Sequence, residues 1–99
     1  MTGNSQWQDV FVASENIVTR KVAGETILVP ISGNLANMQR LFTVNEIGEL
    51  IWQQLDGKRT LDAIRQELMD AYEVDEVRLE ADIREFIEKM YRDGLIEKV

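Results

Sequence analysis

Residues 42–64, FTVNEIGELIWQQLDGKRTLDAI, contain the change from strand-like to helix-like patterning that decides the fold. Apolar residues in its first half recur at three- and four-residue steps: Val44, Ile47, Ile51 and Leu55. This period predicts a helix with one buried face. Asn45 or Thr43 is the expected cap at its start, and Asp56-Gly57 predicts its end in a short turn that runs on to Arg59.

Two further helices are predicted toward the carboxyl end. Thr60 is the expected cap of the second helix, whose apolar positions are Leu61, Ile64, Leu68 and Ala71 or Tyr72. Asp75 is the expected cap of the third and longest helix, whose apolar positions are Leu79, Ile83, Phe86, Ile87 and Met90. Gly94 predicts its end, because glycine takes a positive φ at little steric cost. Leu95-Ile96 is expected to fold back as an apolar tail.

Short β-branched segments precede these helices. Ile17–Val22 and Thr26–Ser32 predict a hairpin, and Gln39–Thr43 predicts a third strand. Pro30 cannot donate to a strand ladder, so its N–H side is expected at an edge or a bulge. Strands followed by helices predict an α+β domain, in which a three-stranded antiparallel sheet is followed by three helices.

The predicted domain covers residues 17–99. Residues 1–16 are expected to be a partly disordered N-terminal extension, although Trp7, Val10 and Phe11 are apolar enough to dock on the domain. With 99 residues the chain has room for one modest core and little room for a deep internal cavity.

The composition excludes several kinds of catalytic site. The chain has no Cys and no His, which removes disulfides, thiolate nucleophiles, the usual zinc sites and histidine base catalysis. The acidic pairs Glu46/Glu49 and Asp75/Glu76 lie in the first turns of predicted helices, where negative charge favours the helix dipole. We therefore expect no catalytic residue, no metal and no cofactor.

The net charge of −7 lies entirely in the second half of the chain. Residues 1–45 contain three basic and three acidic residues, whereas residues 46–99 contain eight basic and fifteen acidic ones. The helix–turn–helix pattern of Asn45–Tyr72, with strands nearby, is compatible with a winged helix that binds DNA. An acidic half repels phosphate, and Lys58 with Arg59 forms only a small basic patch, so we expect no nucleic-acid partner.

Neither a secretion signal nor a membrane span is predicted. The first nine residues are polar, and no apolar run approaches the roughly 20 residues that a spanning helix needs. A cytoplasmic location without a membrane partner is expected.

The order of residues in 42–64 resembles the signature of the coenzyme PQQ synthesis protein D (PqqD-like) family. That family shows a hydrophobic residue and Asn-Glu at the strand exit, followed by G..IW..LDG..T...I. The residues that match here are Val44-Asn45-Glu46, Gly48, Ile51-Trp52, Leu55-Asp56-Gly57, Thr60 and Ile64. Asp82, Gly94-Leu95-Ile96 and the hairpin Gly24–Pro30 extend the resemblance to about residues 17–97.

The resemblance implies a winged-helix-like domain that is not itself an enzyme. Members of this family act as recognition elements, or peptide chaperones. They bind the leader segment of a ribosomally made precursor peptide and present it to a maturation enzyme, often a radical SAM enzyme. The family name refers to pyrroloquinoline quinone, but the same module serves other peptide pathways.

The resemblance also implies a position for the binding groove, between the third strand and the third helix. The peptide-binding residues expected on this basis are Gln39, Arg40, Leu41, Phe42, Thr43, Leu79, Ile83, Phe86 and Ile87. Arg40 is positioned to meet an acidic residue of the peptide, and the acidic helix is positioned to meet a basic one. For the apolar helix residues, plain core packing is the alternative.

Two other functions remain open at this point. One is a small structural or oligomerisation domain that binds no peptide, and the other is the winged-helix nucleic-acid binder. A precursor peptide and a maturation enzyme encoded beside the gene would favour the peptide-binding function over both.

Overall fold

The computed structural model describes residues 7–31 and 42–99. Within these residues the chain forms three helices and two antiparallel sheets of three strands each. In chain order the elements are β1 (Val10–Ala13), β2 (Ile17–Val22), β3 (Glu25–Pro30), β4 (Phe42–Val44), α1 (Glu46–Gln53), β5 (Asp56–Thr60), α2 (Leu61–Ala71), α3 (Glu76–Arg92) and β6 (Ile96–Lys98). The α+β class with three helices is confirmed.

The first sheet has the strand order β2-β3-β4 and contains the predicted hairpin. β2 and β3 pair without a register shift from Ile17↔Pro30 to Val22↔Glu25. The turn between them places Ala23 and Gly24 at φ values of 55° and 85°, the positive-φ pair that matches the twist of a two-residue hairpin. β4 pairs with the other side of β3. It confirms residues 42–43 of the third predicted strand, whereas residues 39–41 lie outside the described residues.

A second sheet, with the order β5-β1-β6, was not predicted. The expected turn from Asp56 to Arg59 is wrong, because this segment is strand β5 and pairs with β1. Its local geometry is nevertheless turn-like: Asp56 Oδ1 accepts from the Lys58 N–H at 2.9 Å, and Gly57 has a φ of 81°. Only pairing with a distant strand, across an irregular register, makes the segment part of a sheet.

The middle strand of this sheet comes from the stretch expected to precede the domain. β1 pairs with β5 on one side and with β6 on the other. Trp7 and Phe11 are buried in the core, as their apolar character indicated. Residues 1–6 lie outside the described residues, so both their disorder and the domain boundary at residue 16 stay predictions.

All three predicted helix caps are present. The side chains of Asn45, Thr60 and Asp75 accept the backbone N–H groups of Gly48, Ala63 and Arg78 at 2.7, 3.1 and 3.0 Å. Each of these bonds satisfies one of the N–H groups that a helix start leaves unpaired.

The end of α3 is also as predicted. Gly94 has a φ of 81°, and the N–H of Leu95 donates to the carbonyl of Met90 at 2.9 Å, the pattern of a Schellman motif. The chain then reverses, so that Leu95 and Ile96 are buried and β6 can pair with β1.

One apolar cluster joins both sheets to the three helices. Its fully buried members include Leu28 of β3, Ile51 of α1, Ile64 of α2 and Ile83 of α3. Across residues 7–31 and 42–99, no helix has both the length and the apolar character needed to cross a membrane.

Candidate functional site

A groove lies where the edge of the first sheet meets α3. The strand order β2-β3-β4 places β4 at one edge of this sheet. β4 and the start of α1 form one wall, and one face of α3, from Asp82 to Met90, forms the other. The space between them, here called the β4–α3 groove, has a volume of about 220 Å³.

Gly48 allows the walls of the β4–α3 groove to come close together. It is buried inside α1, and a Cβ atom at this position would lie 3.1 Å from Phe86 Cε1 and 3.2 Å from Val44 Cβ. Both distances are shorter than an ordinary van der Waals contact, so a larger residue would push the Phe86 ring away. Glycine at this position therefore leaves the room that the Phe86 ring occupies beside α1.

A second cavity, of about 300 Å³, adjoins the β4–α3 groove along α3. Leu79 and Val74 contribute to its apolar wall, and the basic side chain of Arg78 also lines it. Ile47 and Asp82 line both spaces, so the two spaces meet at these residues.

The structure separates the described members of the expected site into three groups. Thr43 is exposed and Phe86 half-buried, and both line the β4–α3 groove. Leu79 is 2% exposed but borders the second cavity. The remaining described members belong to the core: Phe42, Ile83 and Ile87.

Ile83 and Ile87 therefore pack in the core, which was the alternative interpretation of the apolar positions of α3. Phe86, in contrast, presents surface to the groove. Gln39, Arg40 and Leu41 lie outside the described residues. For every residue of the set, contact with a peptide stays a prediction.

Several residues of the groove are absent from the expected set. Gly48, Ile47, Asp82 and Lys89 line it or its junction with the second cavity. Gly48 had a usable signal, since glycine inside a helix costs about 1 kcal/mol relative to alanine and indicates a close approach. Asp82 had one as well, since it matches the family pattern and belongs to the acidic helix expected to meet a basic peptide residue. Ile47 and Lys89 had none, because their position depends on how α1 packs against α3.

A third and larger cavity, of about 790 Å³, is lined by the end of the β2–β3 hairpin, by β4 and by α1. Glu49 of α1 borders it and joins the helix to the hairpin. Its Oε1 accepts the hydroxyl of the buried Thr26 at 2.8 Å and the ammonium of Lys21 at 3.0 Å. These hydrogen bonds, that of Thr26 first, lower the pKa of Glu49 from its ordinary value of 4.5. Glu49 thus holds the sheet that carries β4 against α1.

Acid should weaken this connection. A carboxylate whose pKa is lowered by folding stabilises the fold above its unfolded pKa of 4.5, and this contribution is lost as the pH falls through the folded value. In a Glu49→Gln variant, the free energy of unfolding should therefore fall less between pH 7 and pH 3 than in the wild type. Urea titrations at the two pH values measure the difference.

Glu46→Gln is the control for this experiment, because it removes one negative charge from the exposed side of the same helix. An equal pH dependence in the wild type and Glu49→Gln would contradict a structural role for the Thr26–Glu49 bond.

The described residues include no group of three or more His, Cys, Asp or Glu side chains placed to hold a metal ion.

The fold and the groove define a small winged-helix-like domain with a recess beside an edge strand. The chain belongs to the family of coenzyme PQQ synthesis protein D (PqqD), whose model matches residues 25–96.

One solved structure shows the same fold. It is described as TbiB1 in complex with the TbiA(beta) leader peptide, and it superposes with a TM-score of 0.66 at 22% sequence identity. The similarity covers 87% of this chain and 94% of that one. Among curated proteins, none matches this sequence.

Proposed function

We propose that this protein is a non-catalytic recognition module for the leader segment of a ribosomally made precursor peptide. The observation that carries the proposal is the β4–α3 groove, a recess between an edge strand and an amphipathic helix. Two comparisons support it: the chain belongs to the PqqD family, and its fold is similar to a structure described as a complex with a leader peptide.

Strand addition is the proposed mode of binding. A peptide that pairs with the outer side of β4 gains main-chain hydrogen bonds, and alternate side chains point toward the sheet face or toward α3. The exposed Thr43 lies at this edge, and the ring of Phe86 forms an apolar contact for a peptide side chain. Gln39, Arg40, Leu41 and Phe42 are also proposed to contact the peptide, and so is Leu79 from the second cavity.

The bound peptide is proposed to be presented in the cytoplasm to a separate maturation enzyme, in this family often a radical SAM enzyme. The protein then needs no catalytic group of its own, in agreement with a sequence that has neither Cys nor His. Nucleic acid is a poor partner, since residues 46–99 carry the whole net charge of −7.

Phe86→Glu should weaken peptide binding and leave the fold intact. Phe86 is half-buried, so a carboxylate there remains hydrated in the free protein. In the complex it would be desolvated without a partner, which should weaken binding at least tenfold, or by about 1.4 kcal/mol. The probe is a synthetic copy of the peptide recovered with this protein from its native host and sequenced, and calorimetry measures its affinity.

Val77→Glu is the matched control, because Val77 is an exposed apolar residue on the opposite side of α3. Circular dichroism must show both variants folded. In the wild type, amide shifts on peptide addition should concentrate at residues 42–44 and 79–89. Shifts that cluster around Trp52 and Ile64 would place the peptide elsewhere, and equal affinity of wild type and Phe86→Glu would contradict the groove.

A further inference from the structure

Asp82 lies where the β4–α3 groove and the second cavity meet. Its side chain is half-buried. Within residues 7–31 and 42–99 it makes no hydrogen bond and no ion pair. A carboxylate in this position is available to a ligand that enters either space.

The surroundings of Asp82 strengthen any charge interaction made there. Ile47 lines both spaces with it, Leu79 lies one turn before it and Phe86 one turn after it. These apolar walls exclude water when a ligand covers them, and attraction between opposite charges increases as the local dielectric constant falls.

The two basic residues found among the described linings of these spaces form no ion pair with Asp82. Arg78 lines the second cavity and Lys89 lines the groove, yet neither forms an ion pair with it. Lys89 is seven residues away, or about 10 Å along the helix axis. Glu85, which also lines the groove, adds a second negative charge on the same face of α3.

We infer that Asp82 is a specificity-determining residue that selects a lysine or arginine side chain of the bound peptide. The inference rests on the proposed function and names the chemistry of its ligand: an apolar residue against Phe86 and a basic residue beside Asp82. Charge complementarity carries it, since the junction of the groove and the second cavity offers a carboxylate that has no partner among the described residues.

Selection from a random dodecapeptide library displayed on phage tests the inference whatever the sequence of the natural precursor. Four proteins are immobilised in parallel: wild type, Asp82→Lys, Phe86→Glu and Glu88→Lys. Glu88→Lys makes the same charge change on an exposed position of α3 that does not line the groove. Circular dichroism shows that each protein is folded before selection.

The wild type and Glu88→Lys should enrich the same peptides, which share a lysine or arginine at a fixed distance from an apolar residue. Asp82→Lys should bind these peptides about tenfold more weakly. It should regain affinity when the basic residue of the peptide is replaced by glutamate.

Two other outcomes are possible: one would contradict the specificity inference, and the other would contradict the proposed function. If the wild type enriches peptides without a shared basic residue, or if Asp82→Lys binds them equally well, the specificity inference is wrong and the proposed function stands. If no peptide is enriched on the wild type beyond the level on Phe86→Glu, the proposed function itself fails.

Discussion

An Ile83→Glu variant should be unfolded at room temperature. Ile83 has no exposed surface and lies in the cluster that joins the sheets to the helices. Removing a buried isoleucine side chain costs about 2–5 kcal/mol, and burying an unpaired carboxyl group adds several more. The sum is comparable with the free energy of unfolding of a typical domain, about 5–15 kcal/mol.

Circular dichroism and the dispersion of amide resonances in NMR spectra measure this outcome. Ile83→Val is the control, since it removes one methyl group and should cost only about 1 kcal/mol. A folded Ile83→Glu protein with native dispersion would show that Ile83 faces a space able to hydrate a charge. In that case the position would belong to the expected peptide site and not to the core.

Trp7→Ala should lower the free energy of unfolding by about 3 kcal/mol, a large fraction of the whole. Trp7 is only 9% exposed, although it lies three residues before β1. The guanidinium carbons of Arg65 and Arg84 lie 5.7 and 5.3 Å from its ring, within the range of cation–π attraction. Arg65 is held in place by ion pairs with carboxylates of α2 and α3: Asp62 at 2.6 Å and Glu76 at 2.8 Å.

Urea denaturation of Trp7→Ala, Arg84→Ala and the wild type separates the two contributions. Arg84→Ala removes one cation–π contact and leaves the ring buried, so it should cost at most about 1 kcal/mol. If Trp7→Ala costs no more than Arg84→Ala, the residues before β1 are not part of the cooperative unit. The domain would then begin at β1.

The position of the candidate groove was predictable only in outline. The family resemblance implied a site between the third strand and the third helix, and a recess lies there, between β4 and α3. Leu79, Ile83 and Phe86 were all among the residues expected to face that site. The structure places Ile83 in the core and Phe86 in the groove. All three have the same helical period, so the pattern could not separate them.

Local interactions determined what the sequence alone could establish. The caps Asn45, Thr60 and Asp75, and the stop at Gly94, bond within a few residues of themselves, so their signals lie in short stretches of chain. The same holds for the β2–β3 hairpin, whose strands are joined by a two-residue turn. Three helices after a small sheet could therefore be predicted from the sequence alone.

Only the tertiary structure decided the second sheet and the surface of α3. Asp56–Thr60 has the local hydrogen bonds of a turn and becomes a strand because β1, more than forty residues earlier, pairs with it. Likewise, Phe86 lines the groove because Gly48 leaves room for its ring beside α1, and Asp82 lies where the groove meets the second cavity. Which side of a helix stays open depends on what packs across it, and a periodic pattern contains no information about a partner so distant in sequence.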